Sequence, residues 1–278
     1  MAMFRNFGPI NAVRTGQPLT DDQIMRAAPS IFAEAPHDSR SERYHCIPTI
    51  NVIDALRAEG FDPFYACQVA VRTADKRTHA KHMLRLRHRN QINAREANEI
   101  ILLNSHDGSC SYQMIAGMFR FVCANGMVCG STLGNIRVRH QGKGDIIGEV
   151  IEGAYSVRES FEIAEQQRDT MRAVTLDNAE QELLADAILQ YKHDDPTRPA
   201  PIAPRQLLNA KRIEDDKDDL WTVTNRIQEN IMKGGQVGRS ANGRRTRTRA
   251  VRGLDQDVKL NRALWDMSAR FAELKGQG

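Results

Sequence analysis

The sequence predicts an α+β protein: an antiparallel β-meander packed against a long helix, with a helical C-terminal region. Three features predict it. Between residues 63 and 140, short segments alternate apolar and polar side chains with period two. From residue 145 the period lengthens to that of an amphipathic helix. Turn signals such as Asp-Gly and Asn-Gly punctuate the strand segments.

Residues 1–45 form an N-terminal arm of short polar segments. It contains a predicted helix over "TDDQIMRAAPS", whose start is marked by Thr20 and the acids after it. The α+β core domain spans 46–195. In "TINVIDALRAEG", Ile50, Ile53, Ala55 and Leu56 recur at helical spacing and Gly60 supplies the stop. "PFYACQVAVRT" alternates, with Cys67, Val69 and Val71 on one face and Gln68, Ala70 and Arg72 on the other. "KHMLRLRHR" alternates too: Leu84 and Leu86 point inward, while Lys81, Arg85, Arg87 and Arg89 point to solvent. "NEIILLN" and "SYQMIAGMFRFVC" are apolar strands joined by the hairpin loop "SHDGSC". Asn125-Gly126 reads as a two-residue primed turn, because both central positions need positive φ. "NIRVRH" closes the sheet, with Ile136 and Val138 inward and Arg137 and Arg139 outward.

The long helix is expected from Asp145 to Arg172, burying Ile147, Ile151, Ala154, Val157, Phe161 and Ala164. A second spans Asn178 to Lys192, and "HDDPTRPAPIAP" is a proline-rich break. The region 196–278 contains helices over 207–213, 220–232 and 256–274. Its basic stretch 234–252 has the composition of a mobile loop.

Composition narrows the function. No stretch approaches the roughly 20 apolar residues of a bilayer span, and the N-terminus lacks a secretory apolar run. Five cysteines without an export signal imply reduced thiols in a cytoplasm. Net charge is only +4, but it is segregated. Between Arg72 and Arg95 stand eight Lys or Arg against the single acid Asp75, and between Lys233 and Arg252 seven and no acid. Such segregation is the footprint of a polyanionic partner.

The catalytic alternatives are weaker. Zinc sites favour Cys-x₂₋₄-Cys pairs, and none occurs; Cys67, Cys110, Cys123 and Cys129 sit at apolar strand positions, where a thiol packs as a small hydrophobe. "GGQVGRS" and "GSTLGN" do not match a phosphate-cradling loop, and no hydrolase motif appears. Glu149, Glu152, Glu159 and Glu162 read as a solvated helix face. No enzyme activity, metal or cofactor is therefore expected.

With "FVCANGMV" followed by "RVRH" and a long helix, the chain resembles an uncharacterised phage- and plasmid-like family, domain of unknown function 932, over about Pro48 to Lys192. The resemblance implies a gene of mobile elements and no particular activity. At the level of fold the order of elements is similar to single-strand annealing proteins of recombination. Those form homo-oligomers and hold single-stranded DNA in a basic groove without ATP. The expectation is thus a cytoplasmic, homo-oligomeric protein that binds DNA, single strands favoured, and assists annealing or protection. Phosphate contacts are assigned to Lys81, Arg85, Arg87, Arg89, Arg137 and Arg139 on the sheet and to Arg244, Arg245, Arg247 and Arg249 on the basic loop. The alternative is an anti-defence or regulatory protein that binds a host protein.

Overall fold

The computed structural model describes residues 10–41, 44, 46–71, 73, 75–91, 95–130, 133, 135–138 and 146–276, and of residues 10, 125, 146 and 147 only the backbone. The chain divides into one unit of Met1–Phe121 and Thr132–Phe161 and another of Val122–Ser131 and Glu162–Gly278. Composition predicts divisions near 45 and 195. The observed ones fall elsewhere because the first strand belongs to the sheet and the segment 122–131 belongs with the C-terminal helices.

Among the described residues the first unit is built on six strands: β1 (Ile10–Arg14), β2 (Phe61–Val69), β3 (His82–His88), β4 (Glu96–Asn104), β5 (Tyr112–Arg120) and β7 (Asn135–Val138). They neighbour one another in that order, and every pair is antiparallel. Three strands separate β1 from β5, which in a flat sheet would hold them about 19 Å apart. Yet the guanidinium of Arg14 on β1 lies 5.3 Å from the Phe119 ring on β5. The sheet must therefore curl, enclosing the face that carries Arg14, Arg85, Arg87 and Phe119. A bulge between Pro63 and Tyr65 adds to the bend.

The opposite face carries Leu84, Leu86, Ile100 and Leu102 and is covered by helices. Helix α1 (Asp21–Ala27) starts where expected: Thr20 Oγ1 accepts from the Gln23 amide while the Gln23 side chain accepts from the Thr20 amide. Helix α2 (Thr49–Ala58) is followed by Gly60 at φ +90°, a conformation suited to glycine. Its first residue, Thr49, places Oγ1 2.9 Å from His82 Nε2 and so ties the helix to β3. Helix α3 (Ile146–Ala173) contributes its first half, with Val150, Ala154, Val157 and Phe161 buried. Gly153 permits its close approach to Ile136.

In the second unit, β6 (Asn125–Val128), the end of α3, α4 (Asn178–Lys192), α5 (Leu220–Lys233) and α6 (Leu254–Gly276) share a core. Asp177 and Asp219 cap α4 and α5. Helix α5 is buried from Leu220 through Ile231, and Trp221 meets Trp265 of α6 edge to face at 5.7 Å. Gln228 and Lys233 donate to the carbonyls of Gly126 and Cys123, which fixes β6.

Three local expectations change. The reversal before β6 lies at 121–124 with Ala124 at φ 52°; Asn125 and Gly126 already belong to the strand, so one left-handed residue suffices. Residues 207–213 form no α-helix, but 3₁₀ turns at Pro204–Leu208 and Ile213–Asp215. There the carbonyls of Leu207 and Asn209 accept from Asn230 of α5 instead of from the next helical turn. The basic stretch is not a loop throughout, but a hairpin of β8 (Val237–Arg239) and β9 (Arg245–Arg247). Among the described residues, no helix is long and apolar enough to cross a membrane.

Candidate nucleic-acid interface

The arginines of β3 do not face solvent. Arg85 Nη1 donates to Glu99 Oε2 at 3.0 Å and Arg87 Nε to Glu99 Oε1 at 2.9 Å, with side chains 3%, 1% and 0% exposed respectively. Register explains the pairing: Arg87 stands directly opposite Glu99, and Arg85 lies two residues along the same face. The Arg87 guanidinium also lies 3.6 Å from the centre of the Phe119 ring and 4.8 Å from that of Phe64. Burial alone would raise the Glu99 carboxyl, but the Arg87 and Arg85 guanidinia outweigh it and hold Glu99 ionised, below its ordinary range.

At the end of β3, Arg89 donates to both oxygens of Asp62 and to the Arg57 carbonyl. Lys81 precedes β3 and is half-buried, and Arg137 is exposed on β7. Arg139 lies outside the described residues. The outward basic sheet face is thus corrected: Arg85 and Arg87 are interior and share the carboxylate of Glu99, and Arg89 is paired with Asp62. The alternation of Leu and Arg predicts an inside and an outside, but curling encloses both sides of β3. Arg14 and Glu99 complete this cluster. Glu99, an acid entering the apolar run "EIILL", was the available signal.

At the other end of β3, buried His82 lies 2.8 Å from Ser30 Oγ through Nδ1. Burial pushes its pKa down to about 3, so it stays neutral. Nearby, Cys46 Sγ is 3.3 Å from His106 Nδ1. Burial pushes this thiol up to about 11, so it remains protonated rather than nucleophilic. None of the five cysteines forms a disulfide. Among the described residues, no three His, Cys, Asp or Glu gather where they could hold a metal ion.

The hairpin differs in every respect. Its back is seated on residues 201–206: the Arg239 amide donates to Pro201 O at 2.8 Å and Gln206 Nε2 to Val237 O at 2.9 Å. Gly238 is required there, since a Cβ would fall 1.8 Å from Pro201 O. The base is held by the Gly235 amide donating to Thr248 O, the Thr248 amide to Gln236 O and the Val251 amide to Met232 O. Thr246 and Thr248 are half-buried, whereas Arg239, Arg244, Arg245, Arg247, Arg249 and Arg252 are exposed. In the ladder Arg239 stands opposite Arg245 and Val237 opposite Arg247. Four of these, Arg244, Arg245, Arg247 and Arg249, were expected from sequence. Arg239 was not, because only the register brings it beside Arg245.

A family model described as "Domain of unknown function (DUF932)" matches residues 36–265. The chain is 53% identical over 262 residues to the UPF0380 protein YfjQ of Escherichia coli (strain K12), and 52% identical over 262 residues to the UPF0380 protein YafZ of the same strain. Each comparison covers 94% of this chain and 94% of the relative. No solved structure matches.

Proposed function

The chain belongs to the DUF932 family, and for it we propose a polynucleotide-binding role carried by the β8–β9 hairpin rather than by the sheet. The observation that carries this reading is the juxtaposition of Arg239 and Arg245 across the ladder, with Arg247 beside them and no acid from Lys233 to Arg252. Like charges directly opposite one another destabilise a ladder, and a polyanion laid across them reverses that sign. Because the back of the hairpin is already fixed on residues 201–206, little backbone ordering accompanies binding.

The sequence expectation of annealing relied on a basic groove across the sheet. With Arg85 and Arg87 enclosed, the proposal keeps DNA contact and protection without ATP. A mobile-element setting belongs with it on the strength of the "FVCANGMV…RVRH" motif, a cytoplasmic setting on five cysteines outside any disulfide, and homo-oligomers on the fold analogy.

Fluorescence anisotropy with labelled DNA at a series of salt concentrations tests the reading. Log affinity should fall linearly with log salt, by about 0.9 for each duplex phosphate engaged. Arg245→Glu combined with Arg247→Glu should abolish most of the binding. Undetectable or salt-independent binding sinks the proposal.

A further inference from the structure

Resting on that reading, we infer that the ligand is duplex DNA, entered by the β8–β9 ribbon through the major groove, with Arg245 and Arg247 reading guanine edges. The shape fits. Two strands about 4.8 Å apart make a ribbon that a groove about 12 Å wide accepts. The ribbon is fixed on one side by Pro201 and Gln206, so its other side is free to face a groove.

Composition separates duplex from single strand. Proteins that hold single strands stack bases on aromatic rings, and no Phe, Tyr or Trp occurs between Lys233 and Arg252. Nor is the charge generic. From Arg239 to Arg252 all six cations are arginine and none is lysine. The guanidinium fork matches phosphate oxygens and the paired acceptors O6 and N7 of guanine alike, and an arginine on the outward face of a ribbon lying in the major groove meets the second. Arg245 and Arg247 share the outward side of β9, two residues apart, and so address neighbouring positions along one groove. Arg244 and Arg249 flank them, within reach of the phosphates on the groove walls.

The test uses the full chain and four labelled ligands of equal length: a G·C-containing duplex, an A·T-only duplex, a mixed single strand, and the first duplex with 7-deazaguanine, which lacks the N7 acceptor. The G·C duplex should bind about tenfold or more tightly than the other three, the discrimination expected of a bidentate base contact. Arg245→Lys and Arg247→Lys conserve charge, so they should keep the salt dependence and lose the sensitivity to 7-deazaguanine. Equal or tighter binding of the single strand, or indifference to 7-deazaguanine, overturns this inference and leaves polynucleotide binding standing. Failure of all four ligands to bind overturns both.

Discussion

Arg85-Leu86-Arg87 on β3 and Arg245-Thr246-Arg247 on β9 share a pattern, alternating arginine in a short strand, yet they reach opposite environments. On β3 the intervening leucines are buried under helices, and the sheet curls the arginines inward, where Glu99 lies opposite in the neighbouring strand. On β9 the intervening threonine stands opposite Gly238, no third strand among the described residues continues the ladder, and the arginines stay in water. The strand pattern alone does not decide which way a guanidinium faces. The neighbour across the ladder differs: a carboxylate opposite Arg87 in one case, Arg239 opposite Arg245 and Val237 opposite Arg247 in the other.

The largest expected effect breaks the buried member of the pair. Glu99→Gln leaves Arg85 and Arg87 in the interior without their carboxylate, and should lower stability by about 3–5 kcal/mol, read from the urea midpoint. Arg85→Gln at the same site should cost less, since Arg87 continues to neutralise Glu99.

Acid should separate the two regions next. His82 is neutral in the fold, with a pKa far below its unfolded value, so its contribution is complete above about pH 6.5. As pH falls below that, the unfolded chain takes up the proton first, and stability declines by up to about 1.4 kcal/mol per pH unit toward pH 3. Glu99, also depressed, adds to the decline only below about pH 4.3. No Asp, Glu or His lies between Lys233 and Arg252. The same stability curve should therefore be measured when Arg245 and Arg247 are replaced. A hairpin variant with altered acid sensitivity would contradict this separation.

The smallest effect is the last. Arg245→Ala with Arg247→Ala should shift the thermal or urea midpoint by no more than about 0.5 kcal/mol, as expected for exposed side chains, while weakening DNA binding.

Much of the fold was legible because its elements carry strong local signals. Thr20 and the two acids after it set the start of α1, Gly60 stopped α2, and the apolar rows of β4 and β5 alternated with clear turns. Asn178–Lys192 was read to the residue. The hairpin at 237–247 was not, because arginine and threonine are read by composition as solvated chain, and its order comes from distant partners at Pro201 and Gln206. The same holds for the candidate site. Side-chain alternation along β3 was correct, but curvature depends on contacts such as that between Arg14 and Phe119, made across three intervening strands. No window of neighbouring residues contains that information.

The division of the chain has a consequence for its synthesis. The polypeptide leaves the first unit at 121, returns at 132 and leaves again after 161. Residues 122–131, including Cys123, Met127 and Val128, thus emerge from the ribosome well before α6, whose last residue lies 145 positions beyond the end of that segment. At 5–20 residues per second that interval is about 7–29 s. Throughout it, Cys123, Met127 and Val128 wait for the helices that will bury them.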